Sequence, residues 1–341
     1  MGCTDVLIVV EPLEAESHDA PGHPERPARI GAAMRGVDDL HLGSDLLVVP
    51  AEPAPVEHLV RIHTPGHLER LERLSAGGGG AIDQDTYASH SSWADARMAA
   101  GAGLVAVEAA ATHDAPAFVP ARPPGHHAVA DRAMGFCLLN NVAITAGALR
   151  EVGERVLIVD WDVHHGNGTQ DAFWDDPDVL YVSTHQWPAY PGTGRADEVG
   201  GAAARGANIN VPLPPGATGD VLRRAFDTIV TPVVEAFAPT WVLVSAGFDA
   251  HRGDPLADLA LSAGDFAELA GTVAGYAPGP GRVVLFLEGG YDLDALRMSV
   301  AATLGRLVGA TDSDELPTSG GPGAEQVEQA VARRRAALDD G

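Results

Sequence analysis

The chain has 341 residues, 45% of them hydrophobic, and a formal net charge of -25 at pH 7, with arginine supplying all 22 basic side chains. A surface this negative repels phosphate backbones, which excludes nucleic acid as a partner, and it favours substrates carrying amines or basic tails; a saline cytoplasm would account for the same acidity. No uninterrupted apolar run is long enough to span a membrane, Met1 to Val10 lack a basic n-region, and Val6 stands where a myristoylation motif needs Ser or Thr, so no membrane association and a cytoplasmic location are expected.

In chain order, residues 6–10 read as a strand, and the proline-rich stretch 21–27 leads into a helix that starts near Ala28 with proline in its first turn. Residues 76–81, with four consecutive glycines, read as a mobile loop. A small-residue helix is expected over 93–112, a strand over 117–124 and a helix over 140–151. Strands follow at 156–159, 179–184 and 208–213, then a helix over 219–237, strands at 241–245 and 283–287, and a helix at 293–308. This βα repetition predicts one α/β domain over 1–310 with a central, mostly parallel sheet, a flexible linker at 311–323 and an amphipathic terminal helix within 324–341. Cys3 and Cys137 are the two cysteines, too few for an oxidised scaffold or a thiolate metal site.

The chemistry gathers where strands end. After the apolar run 156–159 come Asp160, Asp162, His164 and His165; Asp160, Asp162 and His164 are spaced by two, so an extended segment points them from one face. Other strands empty into His126 and His127, into Asp249, and into Glu288 and Tyr291. Ligands of open α/β sheets sit beyond the carboxyl ends of parallel strands, so these four exits are expected to share one crevice.

Together the segments RPPGHH (122–127), DWDVHHGNG (160–168), SAGFD (245–249) and EGGYDL (288–293) resemble the histone deacetylase superfamily, close to its class II-like bacterial members, which include acetylpolyamine amidohydrolases. The resemblance runs from HPERPAR (23–29) to about Val308. It implies an arginase/deacetylase-like α/β fold and an amidohydrolase that removes acetyl, or a short acyl group, from an amine. Asp162, His164 and Asp249 would ligate one zinc ion per chain, with iron(II) as an alternative, leaving coordination open for water and a substrate carbonyl. His127 would be the general base and His126 an electrostatic partner. Asp160 would hold His126, and Asn167, an amide where class I relatives carry Asp, would orient His127 without stabilising its charge. Tyr291 would donate to the oxyanion.

The same resemblance implies a narrow tunnel walled by Phe136 and Tyr190, with Leu256 at its rim and the Gly135 carbonyl accepting the substrate N–H. Arg29 would line an inner acetate channel; a helix cap or a pair with Glu25 is the plainer reading of that residue. Asp83 or Asp85 would stand at the mouth. A potassium ion would be held by Asp160, Ser183 and the main-chain carbonyls of Asp162, His164 and Thr184. The expected substrate is an acetyl-lysine side chain, with acetylpolyamines as the alternative; Leu256, where a polyamine-selective relative has a glutamate, favours the former. A catalytically weak acetyl-lysine binding protein and a two-metal ureohydrolase are the rival classes, and self-association stays open.

Overall fold

Apolar runs without polar alternation, such as Leu-Ile-Val-Val and Val-Val-Leu-Phe-Leu, can be satisfied only by burial on both faces, and each becomes a strand of one parallel sheet in the computed structural model. The structure describes residues 5–11, 18–310, 313 and 315–339; Cys3 and the rest of the extreme N-terminus lie outside them. The strands are β1 (Leu7–Val10), β2 (Leu46–Val49), β3 (Gly79–Ala81), β4 (Tyr87–Ser89), β5 (Ala117–Val119), β6 (Val156–Asp160), β7 (Val179–Gln186), β8 (Asn208–Leu213), β9 (Trp241–Ala246) and β10 (Val283–Leu287). Helices are α1 (Ala28–Asp38), α2 (Val56–Leu59), α3 (Pro65–Ala76), α4 (Ser92–His113), α5 (Asn141–Glu151), α6 (Asn167–Ala172), α7 (Gly219–Ala225), α8 (Thr231–Phe237), α9 (Ala263–Ala274), α10 (Leu293–Val308) and α11 (Ala324–Asp339).

Eight strands pair in the order β2-β1-β5-β10-β9-β6-β7-β8, all parallel. Strand alternation sorts the core into two layers: Leu157 and Val159 of β6 pack with α1, α9 and α10, whereas Val156 and Ile158 face α4 and α5. The four strands expected to empty into one crevice, β5, β10, β9 and β6, are consecutive in the sheet, so their carboxyl ends lie side by side. Among the described residues no helix is long and apolar enough to cross a membrane.

Four expectations need correction. The glycine-rich stretch is not simply a loop, because Gly79–Ala81 pair antiparallel with Tyr87–Ser89. Gly79 has φ of 90°, and a Cβ there would stand 2.2 Å from the Ala88 carbonyl oxygen, so the close approach needs glycine. The strand expected over 117–124 stops at Val119, since Pro120 has no N–H for a central ladder. The long helix 219–237 contains a π turn, Phe226–Val230, just before Pro232, whose missing N–H interrupts the ladder.

The segment read as a flexible linker is the fourth, for its described part is pinned to the domain. The Glu315 carboxylate accepts from His251 Nε2 (2.8 Å) and the Ala263 N–H (2.9 Å), and the Thr318 N–H donates to Asp265 (3.1 Å). The Gly320 and Gly321 N–H groups reach Asp220 and Thr218. Polar, glycine-rich composition here serves hydrogen bonding rather than freedom. α11 then covers the outer edge of β8 with Val327 and Ala330 buried, and Arg334 donates to the carbonyls of Gly206 and Asn208. Substituting Arg334→Ala strips a charged donor from two carbonyls and should cost about 2 kcal/mol in urea unfolding; an unchanged midpoint would mean that α11 is held by its apolar face alone.

Candidate active site

Beyond β6 and β9, neighbouring strands that pair Asp160 with Ser245, the chain delivers Asp162, His164 and Asp249 to one point. His164 Nδ1 lies 3.2 Å from Asp162 Oδ1 and 3.2 Å from Asp249 Oδ2, and the three donor atoms fall within 4.8 Å of one another. Backbone amides orient both carboxylates: Asp249 Oδ1 accepts from the Val163 N–H (3.0 Å), and Asp162 accepts from the N–H groups of His164 (2.9 Å) and Gly289 (2.8 Å). Asp249 Oδ2, fully buried, has among the described residues only the His164 ring beside it, with no well-formed hydrogen bond. An oxygen left so would be costly unless a cation meets it. The site's demand for positive charge shows in His164: burial opposes its protonation, yet the Asp162 and Asp249 carboxylates beside it drive it up to about 10. One imidazole nitrogen and two carboxylates form a donor set suited to zinc or iron(II), and these residues fit such an ion. Gly289 is required there, since a Cβ would stand 2.0 Å from Asp249 Oδ2 and 2.6 Å from Asp162 Oδ2.

Two histidines flank this cluster with rings 4.0 Å apart. His127 Nδ1 donates to Asn167 Oδ1 (2.9 Å), while Asn167 Nδ2 points at the His127 carbonyl (3.4 Å), which fixes the amide and leaves Nε2 with its lone pair. Burial, reinforced by the charges of His126 and His164, holds His127 well below its usual range. His126 goes the other way. Burial opposes its charge, but Asp160, Asp162 and Glu288 outweigh it, and His126 Nδ1 donates to Asp160 Oδ2 at 3.0 Å. Tyr181 donates its hydroxyl to the same oxygen (3.0 Å). Gly166 makes the packing possible, because a Cβ would come within 2.2 Å of Asp160 Oδ2.

A cavity of about 210 Å³ opens from these groups, lined by both histidines, Asp162, His164, Phe136, Tyr190, Leu256, Tyr291 and Asp85. Phe136 (φ 68°) and Tyr190 form its walls, with the Tyr190 ring edge-on to His127 at 5.0 Å. Leu256 lines the cavity and is 41% exposed. The Gly135 carbonyl also accepts weakly from Cys137 Sγ (3.3 Å). Of the two candidate acids Asp85 lines the cavity, whereas Asp83 Oδ1 accepts the N–H groups of Asp85 and Thr86 and shapes the turn. Tyr291 is buried, its ring 4.8 Å from the Arg29 guanidinium and edge-on to Phe136; burial raises its phenol well above the usual range. Arg29 fulfils its plainer reading, bonding Glu25 at 3.1 Å, but it also donates to the carbonyls of Glu288 and Gly290.

Ser183 is the cross-strand partner of Asp160, and the neighbouring Thr184 hydroxyl is buried without a hydrogen-bond partner among the described residues. A second cluster, His126, Cys137 and Glu288, also brings donor atoms within 4.8 Å. There Glu288 Oε2 already accepts from the Gly125 (2.7 Å) and His126 (3.2 Å) N–H groups, and burial pushes the Cys137 thiol up, so it reads as a hydrogen-bonded cluster. Several contributors escaped sequence reasoning. Thr86 Oγ1 holds the Phe136 N–H (3.2 Å), His23 bridges to the Asp85 carbonyl (2.9 Å), and Tyr181 and Asp254 brace the site from below and beside it. Only His23, inside the HPERPAR segment, carried any signal.

An all-parallel α/β sheet that sets an Asp-His-Asp donor cluster, a neutral histidine and a tyrosine at the floor of a narrow cavity defines a hydrolase-like architecture. Residues 23–307 match the histone deacetylase domain model, and the chain belongs to the histone deacetylase family. It is 41% identical over 278 residues to a histone deacetylase-like amidohydrolase of Pseudomonas aeruginosa, covering 80% of this chain and 73% of that one. A probable deacetylase of Methanothermobacter thermautotrophicus is 39% identical, with 92% of this chain and 95% of the relative covered. The crystal structure of the HDA15 HD domain superposes with a TM-score of 0.89 at 34% identity, covering 99% of this chain and 98% of that one. If the donor set is right, Asp249→Ala should lower bound zinc at least a hundredfold in affinity by titration while the protein stays folded, and metal retained at wild-type affinity would show the ligands lie elsewhere.

Proposed function

We propose that this chain is a zinc-dependent deacetylase that hydrolyses the amide of an acetylated primary amine, acetyl-lysine side chains first among them. The observation that carries the reading is the cavity floor, where Asp162, His164, the His127 ring and Tyr291 line one space, with Asp249 buried beside His164. When bound by those donors, such an ion supplies Lewis acidity to a carbonyl and acidifies water. His127, tied through Nδ1 to Asn167, would take the proton of the attacking water at Nε2 and return it to the leaving nitrogen as the C–N bond breaks, releasing acetate and the amine. Tyr291, kept protonated by burial, would donate to the oxyanion, and the charged His126-Asp160 pair would offset negative charge nearby.

Phe136 and Tyr190 would grip a linear alkyl chain, the Gly135 carbonyl would take the amide N–H, and Asp85 would meet backbone or amine groups at the mouth. A potassium ion on Asp160, Ser183 and nearby carbonyls, and a cytoplasmic setting, complete the reading. Acetylpolyamines are the second substrate class, favoured by the Asp85 carboxylate at the cavity mouth. A panel of acetyl-lysine peptides, acetylputrescine and acetylspermidine, run with zinc-loaded and metal-stripped protein, separates the two. Turnover should require metal, and no turnover of any member would defeat the proposal. Tyr291→Phe should keep its metal while kcat falls by roughly two to three orders of magnitude, the scale for one oxyanion donor; undiminished turnover would remove Tyr291 from the chemistry.

A further inference from the structure

The stretch between β10 and α10 passes through Gly289 and Gly290, the latter at φ 118°, before it reaches Tyr291. A backbone of this kind does not hold a side chain in place by itself. The Tyr291 and Asp292 N–H groups precede the helix, and the Asp292 side chain is already spent capping Asp294 and Ala295. Their partner comes from another loop. Asp254, 7% exposed, takes the Tyr291 N–H at 2.6 Å and the Asp292 N–H at 3.2 Å on Oδ2, and the Leu256 N–H at 3.0 Å on Oδ1. On the other end of the same peptide bond, Arg29 Nε donates to the Gly290 carbonyl at 2.6 Å. The Gly290-Tyr291 peptide is thus clamped at its oxygen by a guanidinium, a charge-assisted bond, and at its nitrogen by the Asp254 carboxyl group.

From this we infer that Asp254 is a positioning residue for Tyr291, and that through its second oxygen it fixes the Leu256 rim and the tyrosine as one unit. The inference rests on the deacetylase reading for its kinetic consequence but not for its geometry. Catalytic donors must be held within about half an ångström, and a misplacement near 1 Å can cost a hundredfold in rate. The hydrogen bonds of Asp254 go to the Tyr291, Asp292 and Leu256 amides and to none of Asp162, His164 and Asp249; its charge is felt by Asp249, so zinc content is read beside kcat to separate the two routes.

The test is a double-mutant cycle with the zinc-loaded full chain. Asp254→Asn keeps the side-chain size but turns an N–H₂ toward one of the backbone donors. It should lower kcat by about 10- to 100-fold with KM within about threefold and zinc content unchanged, and it should add almost nothing in a Tyr291→Phe background. A crystal structure of Asp254→Asn should show the Tyr291 ring shifted from its edge contact with Phe136, 5.8 Å in the wild type. Multiplicative losses in the cycle, or an unmoved ring, would overturn the assignment. Should the asparagine variant not fold, Asp254→Ser passes through the same measurements. A wild-type protein inert toward every acetyl amide defeats the deacetylase reading, and the crystal comparison then still decides the role of Asp254.

Discussion

Four carboxyl groups, Asp160, Asp162, Asp249 and Glu288, are buried to 1% exposure or less at the ends of three adjacent strands, and the organisation of the site follows from the need to neutralise them. Burying a carboxylate without compensation costs several kcal/mol, so each must find a proton, a cation or a set of donors. Glu288 shows the pressure: burial pushes it up to about 7, against the charge of His126 and the Gly125 N–H. Asp160 finds His126 and Tyr181, and Asp162 finds two backbone amides. Asp249 Oδ2 has only the His164 ring beside it among the described residues, at 3.2 Å and without a well-formed hydrogen bond, so it is the least compensated of the four.

The same compensation separates two adjacent histidines. His126 and His127 are consecutive, equally buried and 4.0 Å apart, yet Asp160, Asp162 and Glu288 raise the first against its burial, while burial and the charges of His126 and His164 lower the second. One ring carries charge and the other keeps a lone pair, which is the division that acid-base chemistry on a single carbonyl requires. Parallel topology makes this possible, because four strand ends in a row present loops, and hence short polar segments, to one small volume.

Much of this was legible in the amino-acid sequence, and the reason is local. Most unalternated apolar runs here are doubly buried strands, the edge strand β2 excepted, and acids or histidines placed directly after them sit at the carboxyl edge of the sheet. The β8 and α10 bounds were recovered to the residue. What stayed hidden depends on partners far away in the chain. Asp254 looks like an ordinary loop acid until Tyr291, 37 positions on, supplies its donor. The glycine run looked mobile because sequence does not display the Ala88 backbone against which Gly79 packs. Likewise, the stretch before α11 has a linker's composition, but its hydrogen bonds to Asp265, Asp220 and Thr218 are set by tertiary placement.

Glu315 extends that point to the periphery. Its carboxylate joins His251, the Ala263 amide and Arg252, and so sits against the outer side of the turn that runs from Asp249 to Leu256. Free energy invested in docking the tail is therefore shared by the turn, and the sharing is reciprocal. A ligand that tightens the cavity mouth would also tighten the hold on the C-terminal segment, so tail protection from a protease becomes a remote gauge of occupancy in the tunnel.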